Sequence, residues 1–312
     1  MDFQDLNSFG KRREPFLFIS DFKAQNLKIY PLNQLQNEDI EFCINSNYQY
    51  IPHNNILKKI PISFDNYQKK FNFIQEHIKS GDTYLLNLTQ STKIETKLTL
   101  KEIFTSANAH YKLRFKNEFV CFSPESFIQI KNNKINTFPM KGTIDASIKD
   151  AKEKILNNKK EMAEHIMVVD LLRNDLSIVS KMVRVEKFRY IQSINAGDKK
   201  LLQVSSHISG KLEDNWHHHI GDILKSLLPA GSISGTPKKK TLDIIEKIEG
   251  YNRGYFSGVF GVYDGDSLDS GVMIRFIEKQ GDSYIYKSGG GITCDSDAQS
   301  EYKELQDKIY LP

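Results

Sequence analysis

Cysteine is scarce in this chain of 312 residues. Cys43, Cys121 and Cys294 form an odd set without a CxxC spacing, which argues against both a disulfide framework and a thiolate zinc site. A reducing cytoplasm is the expected setting. Long apolar runs are missing too. No stretch approaches the roughly 18 residues of a membrane span, and residues 1–13 are polar and charged with no apolar signal core, so neither membrane insertion nor export is expected. Charge of a single sign is also lacking. The 43 basic and 39 acidic residues are interspersed, as where Lys238, Lys239 and Lys240 are followed by Asp243, Glu246 and Glu249. That is no nucleic-acid footprint, although the sequence pI is about 8.7. There is no internal repeat, low-complexity tract or obvious linker. What is present is a hydrophobic content of 39%, enough for one large core or two closely joined subdomains.

Apolar periodicity gives the coarse organisation. Residues 16–32 read as two strands joined by a polar turn at 23–26. A helix is predicted over 63–79, with Ser63 as N-cap and a stop at Gly81-Asp82. Residues 84–89 read as a buried strand, and strands at 119–122, 127–130 and 135–138 precede a turn that carries Lys141. One long helix is expected over 148–172, ending in the polar cluster Arg173-Asn174-Asp175. Residues 254–263, 271–278 and 284–289 read as strands, and 297–309 as a terminal helix. The expected division is a short strand-rich segment, 1–67, packed on a main domain, 68–312.

Several residue patterns have chemical potential. Lys141 sits in Pro139-Met-Lys-Gly-Thr143, beside a turn-forming glycine and a hydroxyl. An ordinary lysine, of pKa about 10.4, is neutral in only about one molecule in 2500 at pH 7, so a nucleophilic role requires help from burial or charge. Glu161 and Glu164 are three positions apart on one helical face. Glu301, Glu304 and Lys308 repeat the arrangement on the terminal helix, opposite the stripe Tyr302, Leu305 and Ile309. Two such acidic faces meeting would suit Mg²⁺, although paired glutamates are also commonly solvated. Gly289-Gly290-Gly291, read as a turn before a helix, could bring bare amides to an anion or merely be flexible. Residues 229–238 lack the GxxxxGK[ST] spacing, which rules out a nucleotide P-loop. Arg275 is a charge within an apolar strand pattern; a substrate carboxylate or a structural acid would answer it. The run Trp216-His217-His218-His219 does not put its imidazoles on one helical face, and a metal reading is rejected.

Taken in order, Gly81 to Thr89, Ser123-Pro124-Glu125, Pro139 to Thr143, Glu164 to Asp170 with Arg173-Asn174-Asp175, Pro229 to Lys238 and Gly289 to Lys308 resemble the chorismate-utilising enzymes. Within that family they are most similar to component I of aminodeoxychorismate synthase. The resemblance covers roughly residues 70–310 and makes 68–312 a chorismate-binding catalytic domain. It implies a mixed α/β fold of the α+β type, with two facing, mostly antiparallel sheets and helices outside.

The resemblance also implies roles. Glu164 and Glu304 would bind Mg²⁺ directly, supported by Glu161 and Glu301. Arg275, Gly290 and Lys308 would surround the substrate's carboxylates, with Thr143, Gln203 and Gly289 also binding substrate. In the aminodeoxychorismate branch the lysine at position 141 attacks ring carbon 2 while the 4-hydroxyl leaves, protonated by Glu125. Related anthranilate synthases carry a small residue there, so Lys141 disfavours that alternative. Gln203 stands where many relatives have histidine, and Phe256 where many have tyrosine. None of the three cysteines lies in a Gly-x-Cys-x-Gly turn, so a glutamine amidotransferase partner is implied as the ammonia source. A catalytically silent chorismate-binding subunit is the alternative of another class, and the set of reactive groups argues against it.

Overall fold

The computed structural model describes residues 1–45, 57–196 and 199–312. The chain forms two compact units: Met1–Glu38, Pro124–Ser232 and Gly258–Val272 make the first, and Asp39–Ser123, Ile233–Ser257 and Met273–Pro312 the second.

In chain order, α1 (Phe3–Lys11) opens on Asp2, whose carboxylate accepts from the Gln4 and Asp5 amides while Asp5 reaches back to the Asp2 amide. This reciprocal cap satisfies donors that every helix start leaves open. β1 (Phe16–Ser20) and β2 (Leu27–Pro31) form the expected antiparallel pair. After β3 (Ile40–Ile44) and β4 (Lys58–Ile60), α2 (Phe64–Lys79) begins where predicted, with the Ser63 hydroxyl accepting from the Asn66 amide. It ends just before Gly81, whose φ of +76° suits glycine. Next come β5 (Leu85–Glu95), α3 (Leu100–Ser106), β6 (Tyr111–Phe115), β7 (Phe119–Ser123), β8 (Ser126–Lys131), β9 (Lys134–Thr137) and β10 (Met140–Asp145). They lead into α4 (Ala151–Asn157), α5 (Lys159–Val179), β11 (Lys181–Ala196) and β12 (Lys199–Lys211). The remainder is α6 (Ile220–Leu227), β13 (Gly235–Thr236), α7 (Lys238–Glu249), β14 (Val259–Tyr263), β15 (Leu268–Val272), β16 (Phe276–Gln280), β17 (Ser283–Ile292) and α8 (Ala298–Asp307).

Each unit is built on one antiparallel sheet. In the first, the strand order is β10-β12-β9-β8-β15-β14-β1-β2, with β11 also paired to β12. β1 is buried along its whole length, which explains its unbroken apolar run Phe-Leu-Phe-Ile. α5 packs on α6 and on β10, β11 and β12. It buries Val168, Leu171, Leu172 and Leu176, each contributing about 1.5–3 kcal/mol. In the second unit the order is β13-β5-β17-β16-β7-β6-β3, with β4 also on β5. Tyr67, Phe71, Ile74 and Ile78 of α2 share a core with Leu305 of α8 and with Leu86, Leu88 and Ile292 of the sheet.

Four expectations need correction. The long helix over 148–172 is two helices. Asn158 has extended backbone angles (φ −69°, ψ 111°), which interrupt the helix, and its side chain accepts from the Glu161 amide to start α5. α5 then runs through Arg173-Asn174-Asp175 to Val179, since Asp175 is buried and Arg173 pairs with Asp170 one turn earlier. Gly289-Gly290-Gly291 is no turn: it lies inside β17, in register with Thr89, Leu88 and Asn87 of β5. The strand expected over 271–278 breaks between β15 and β16, and Arg275 stands in the break with φ +52°. The strand expected from 254 starts only at Val259. Among the described residues, no helix is long and apolar enough to cross a membrane.

Candidate active site

In the first unit, the segment read as a turn around Lys141 is a bulge in a strand. Met140 faces Ser205 and Thr143 faces Gln203, so Lys141 and Gly142 occupy a span for which β12 supplies only Val204. Such two-against-one bulges bend a strand and redirect its side chains. Gly142 makes this one possible. Its φ is +82°, and a Cβ there would meet Glu161 Oε2 at 3.3 Å. Lys141 Nζ lies 3.9 Å from Glu164 Oε2, and Lys160 Nζ lies 4.0 Å from the other oxygen of that carboxylate. Lys141, Glu161 and Glu164 are therefore brought together by β10 and α5. Glu125, between β7 and β8, accepts a hydrogen bond from Ser232 Oγ, while its backbone carbonyl accepts from the Val272 amide. Gln203 is half-buried, and its Oε1 has no hydrogen-bonding partner among the described residues.

The second unit gathers Gly289, Gly290, Glu301, Glu304 and Lys308. Lys308 Nζ donates to the Gly289 carbonyl at 2.8 Å and pairs with Glu304 Oε1 at 2.6 Å. Ser296 Oγ donates to Glu301 Oε1 at 2.9 Å. A Cβ on Gly290 would lie 3.4 Å from Glu301 Oε2, 3.8 Å from Lys308 Nζ and 3.9 Å from Glu304 Oε1. The bare backbone of β17 thus faces two carboxylates and an ammonium. The phenol of Tyr67 is raised above its ordinary range, first by burial and then by the Glu301 and Glu304 charges. Arg275 lies over the Tyr310 ring at 5.7 Å, and its carbonyl accepts from the Phe122 amide.

The sequence profile described as chorismate binding enzyme matches residues 26–311. The chain belongs to the chorismate-binding enzyme family. An uncharacterized PabA-like protein of Haemophilus influenzae is 48% identical to it over 99% of this chain and 95% of its own length. Aminodeoxychorismate synthase component 1 of Bacillus subtilis is 31% identical over 80% of this chain, which spans 55% of that protein. Among solved structures, anthranilate synthase component I from Streptococcus pneumoniae superposes with a TM-score of 0.69 at 27% identity, covering 81% of this chain and 58% of its own. MenF, the menaquinone-specific isochorismate synthase from Escherichia coli, shares the fold, with a TM-score of 0.74 at 16% identity over 98% of this chain and 79% of its own.

For a chorismate-binding enzyme, the two carboxylate pairs have the chemistry for a hard cation. Their donors are all oxygen, and in both units a glycine leaves the space beside them open. Among the described residues, no cluster of three or more His, Cys, Asp or Glu is already assembled as a metal site. Of the histidine run, only His217 is buried in the core, while His218 and His219 are exposed. Tyr263 donates to the Gly265 carbonyl, so His217, 2.8 Å away, must donate its Nδ1–H to the Tyr263 oxygen. The three cysteines form no disulfide, Cys43 and Cys121 being buried and Cys294 exposed.

Sequence reasoning missed two buried polar groupings. In the second unit, Arg253 pairs with Glu249, which also accepts from the Thr89 amide and hydroxyl. In the first, His165 Nε2 meets Ser206 Oγ at 2.7 Å. Burial, and then the positive charges of Arg189 and Lys141, lower this imidazole to about 4, so it is neutral at pH 7. His165 stood inside a recognised motif; its partner, 41 residues further on, carries no local signal.

Proposed function

We propose that this chain is a component I of aminodeoxychorismate synthase, converting chorismate and ammonia to 4-amino-4-deoxychorismate. The observation that carries the reading is Lys141 on its bulge, 3.9 Å from Glu164. The neutral Lys141 amine attacks ring carbon 2, both ring double bonds shift by one position toward carbon 4, and the C4–O bond breaks. Glu125 supplies the proton with which the 4-hydroxyl departs as water, because hydroxide alone is a poor leaving group. Ammonia then bonds to carbon 4, both double bonds return, and the C2–N bond to Lys141 breaks, the lysine nitrogen leaving as an amine with the proton that the added ammonia gives up. The net change is hydroxyl for amine, with loss of one water. Covalent capture splits one hard displacement into two easier ones.

Glu164 and Glu304, with Glu161 and Glu301 in support, are proposed to hold Mg²⁺, which when bound would neutralise a substrate carboxylate. Arg275, Gly289, Gly290 and Lys308 are assigned to substrate carboxylates, and Thr143 and Gln203 to the ring substituents. Ammonia is proposed to come from a glutamine amidotransferase subunit. Two facts support that partner: relatives are named component 1, and no cysteine here sits in a glutaminase turn.

The test is chromatography with mass detection on protein given chorismate, Mg²⁺ and ammonium salt, beside Lys141→Ala. Aminodeoxychorismate, lost in the variant, is expected. Anthranilate would move the protein to the sister reaction, and no turnover would leave a chorismate-binding subunit. Co-elution with a co-expressed amidotransferase, and glutamine-dependent turnover, test the partner.

A further inference from the structure

His165 has no part in the chemistry above, yet its imidazole is fully buried and it follows Glu164 directly. Its contact, Ser206, has three hydrogen-bonded partners. The Ser206 amide donates to the Pro139 carbonyl at 3.0 Å, and its hydroxyl accepts from the Arg189 amide at 2.9 Å while meeting His165 Nε2 at 2.7 Å. Pro139 is the residue before β10, and Met140 is in register with Ser205. The path from α5 through His165 and Ser206 therefore ends two residues from Lys141.

The Arg189 amide explains why a hydroxyl is needed. The β11–β12 register shifts between Lys187 and Tyr190, and Arg189 has φ +47°, so its N–H points away from the regular ladder. The Arg189 guanidinium donates to the Ile155 and Leu156 carbonyls at the end of α4. β11, α5 and the residue leading into β10 thus meet at one serine, and Arg189 extends the link to α4. An apolar side chain at 165 would fill the space without the cost of burying an imidazole, so the polar contact fixes a geometry that packing alone would leave loose.

We propose that His165 is a positioning residue: through Ser206 it anchors the 139–141 segment and so sets where the Lys141 amine stands relative to Glu164. The inference rests on reading Lys141 as the reacting amine. The test compares His165→Leu, His165→Gln, Ser206→Ala and the His165→Leu/Ser206→Ala pair. For each, kcat and KM with chorismate and ammonium are measured, together with the rate at which trinitrobenzenesulfonate labels Lys141, followed by peptide mass.

His165→Leu and Ser206→Ala are expected to lower kcat about 10- to 100-fold, the usual effect of misplacing a reacting group by about 1 Å, with KM changed less than about threefold. The pair should be no worse than the poorer single variant, since both break one link. His165→Gln, which keeps a hydrogen-bonding group, should recover to within about fivefold, and the labelling rate should follow the same order. A folded His165→Leu within about twofold of wild type, losses that multiply in the pair, or a glutamine as poor as leucine would each overturn the proposal. Should His165→Leu fail to fold, the smaller change Ser206→Ala decides by the same kcat criterion. A wild type with no turnover would instead sink the functional reading; an unchanged labelling rate in the variants would then overturn the positioning role on its own.

Discussion

Lys141 and Glu164 stand 3.9 Å apart, the amine on a strand bulge and the carboxylate on the helix packed against it. The proposed reaction asks two things of this pair, a neutral amine and a carboxylate given to a cation. Mg²⁺ on the carboxylate would serve both demands in part, because the lysine then loses its counter-charge to the metal. Addition of Mg²⁺ is therefore expected to speed trinitrobenzenesulfonate labelling of Lys141 about two- to fivefold, the size of a partly exposed ion pair worth up to about 1 kcal/mol. Glu164→Gln should show the faster rate without metal and no response to it. Identical rates in all four conditions would dissociate the two residues.

The glycines of β17 predict opposite outcomes for one chemical change. A Cβ on Gly289 would lie 2.6 Å from the Leu88 carbonyl and from a Thr89 methyl, a clash that the β5–β17 ladder cannot absorb without moving backbone. Gly289→Ala should cost about 1–3 kcal/mol by urea unfolding. A Cβ on Gly290 would make only ordinary contact with Glu301 Oε2, so Gly290→Ala should keep stability within about 1 kcal/mol while weakening chorismate binding, read as a raised KM. Equal stability losses at the two positions would contradict the geometry.

These glycines also show what the sequence could convey. Gly81 after α2 was legible because a local rule joins a helix end to a positive φ. The three consecutive glycines looked like a turn because no local rule announces that β5 and two carboxylates will crowd a strand. The break at Asn158 was hidden for a similar reason: apolar residues stand on both sides of the polar run 157–161, and only the backbone angles of one residue divide the helices. Lys141, Glu161, Glu164, Glu301 and Glu304 were legible as candidates through spacing and family resemblance. That Lys141 lies on a bulge, and that Ser206 ties it to α5, depends on long-range register that no window of sequence contains.

His217 gives the fold a sensitivity to acid. Burial, followed by the charge of Arg13, lowers its imidazole to about 4, against about 6.5 in an unfolded chain. Below about pH 6.5 the unfolded state binds the extra proton and the folded state does not, so stability rises with pH across this window and is lost as pH falls through it toward 4. The loss approaches about 3 kcal/mol, at up to about 1.4 kcal/mol per pH unit. His217→Gln keeps a donor for Tyr263 but does not titrate. Its urea stability measured from pH 7 to 4 should therefore fall less steeply than wild type, and parallel curves would show that His217 accepts a proton without unfolding.

The ion pair of Glu249 and Arg253 is the other buried commitment, with both side chains 2% exposed. Arg253 also donates to the Ile233 and Asn87 carbonyls, so it holds three segments of the second unit together. Arg253→Met leaves the buried Glu249 carboxylate with the Thr89 amide and hydroxyl and the field of the Lys70 and Lys287 ammoniums, but without its directly bonded cation. Removing one partner of a buried ion pair costs about 3–5 kcal/mol, which is the upper end of the expected loss in urea unfolding. Adding Glu249→Gln removes that charge, so the double variant should be more stable than Arg253→Met alone. If it is less stable, the penalty comes from the lost carbonyl contacts of the guanidinium and the carboxylate contributes independently of its partner.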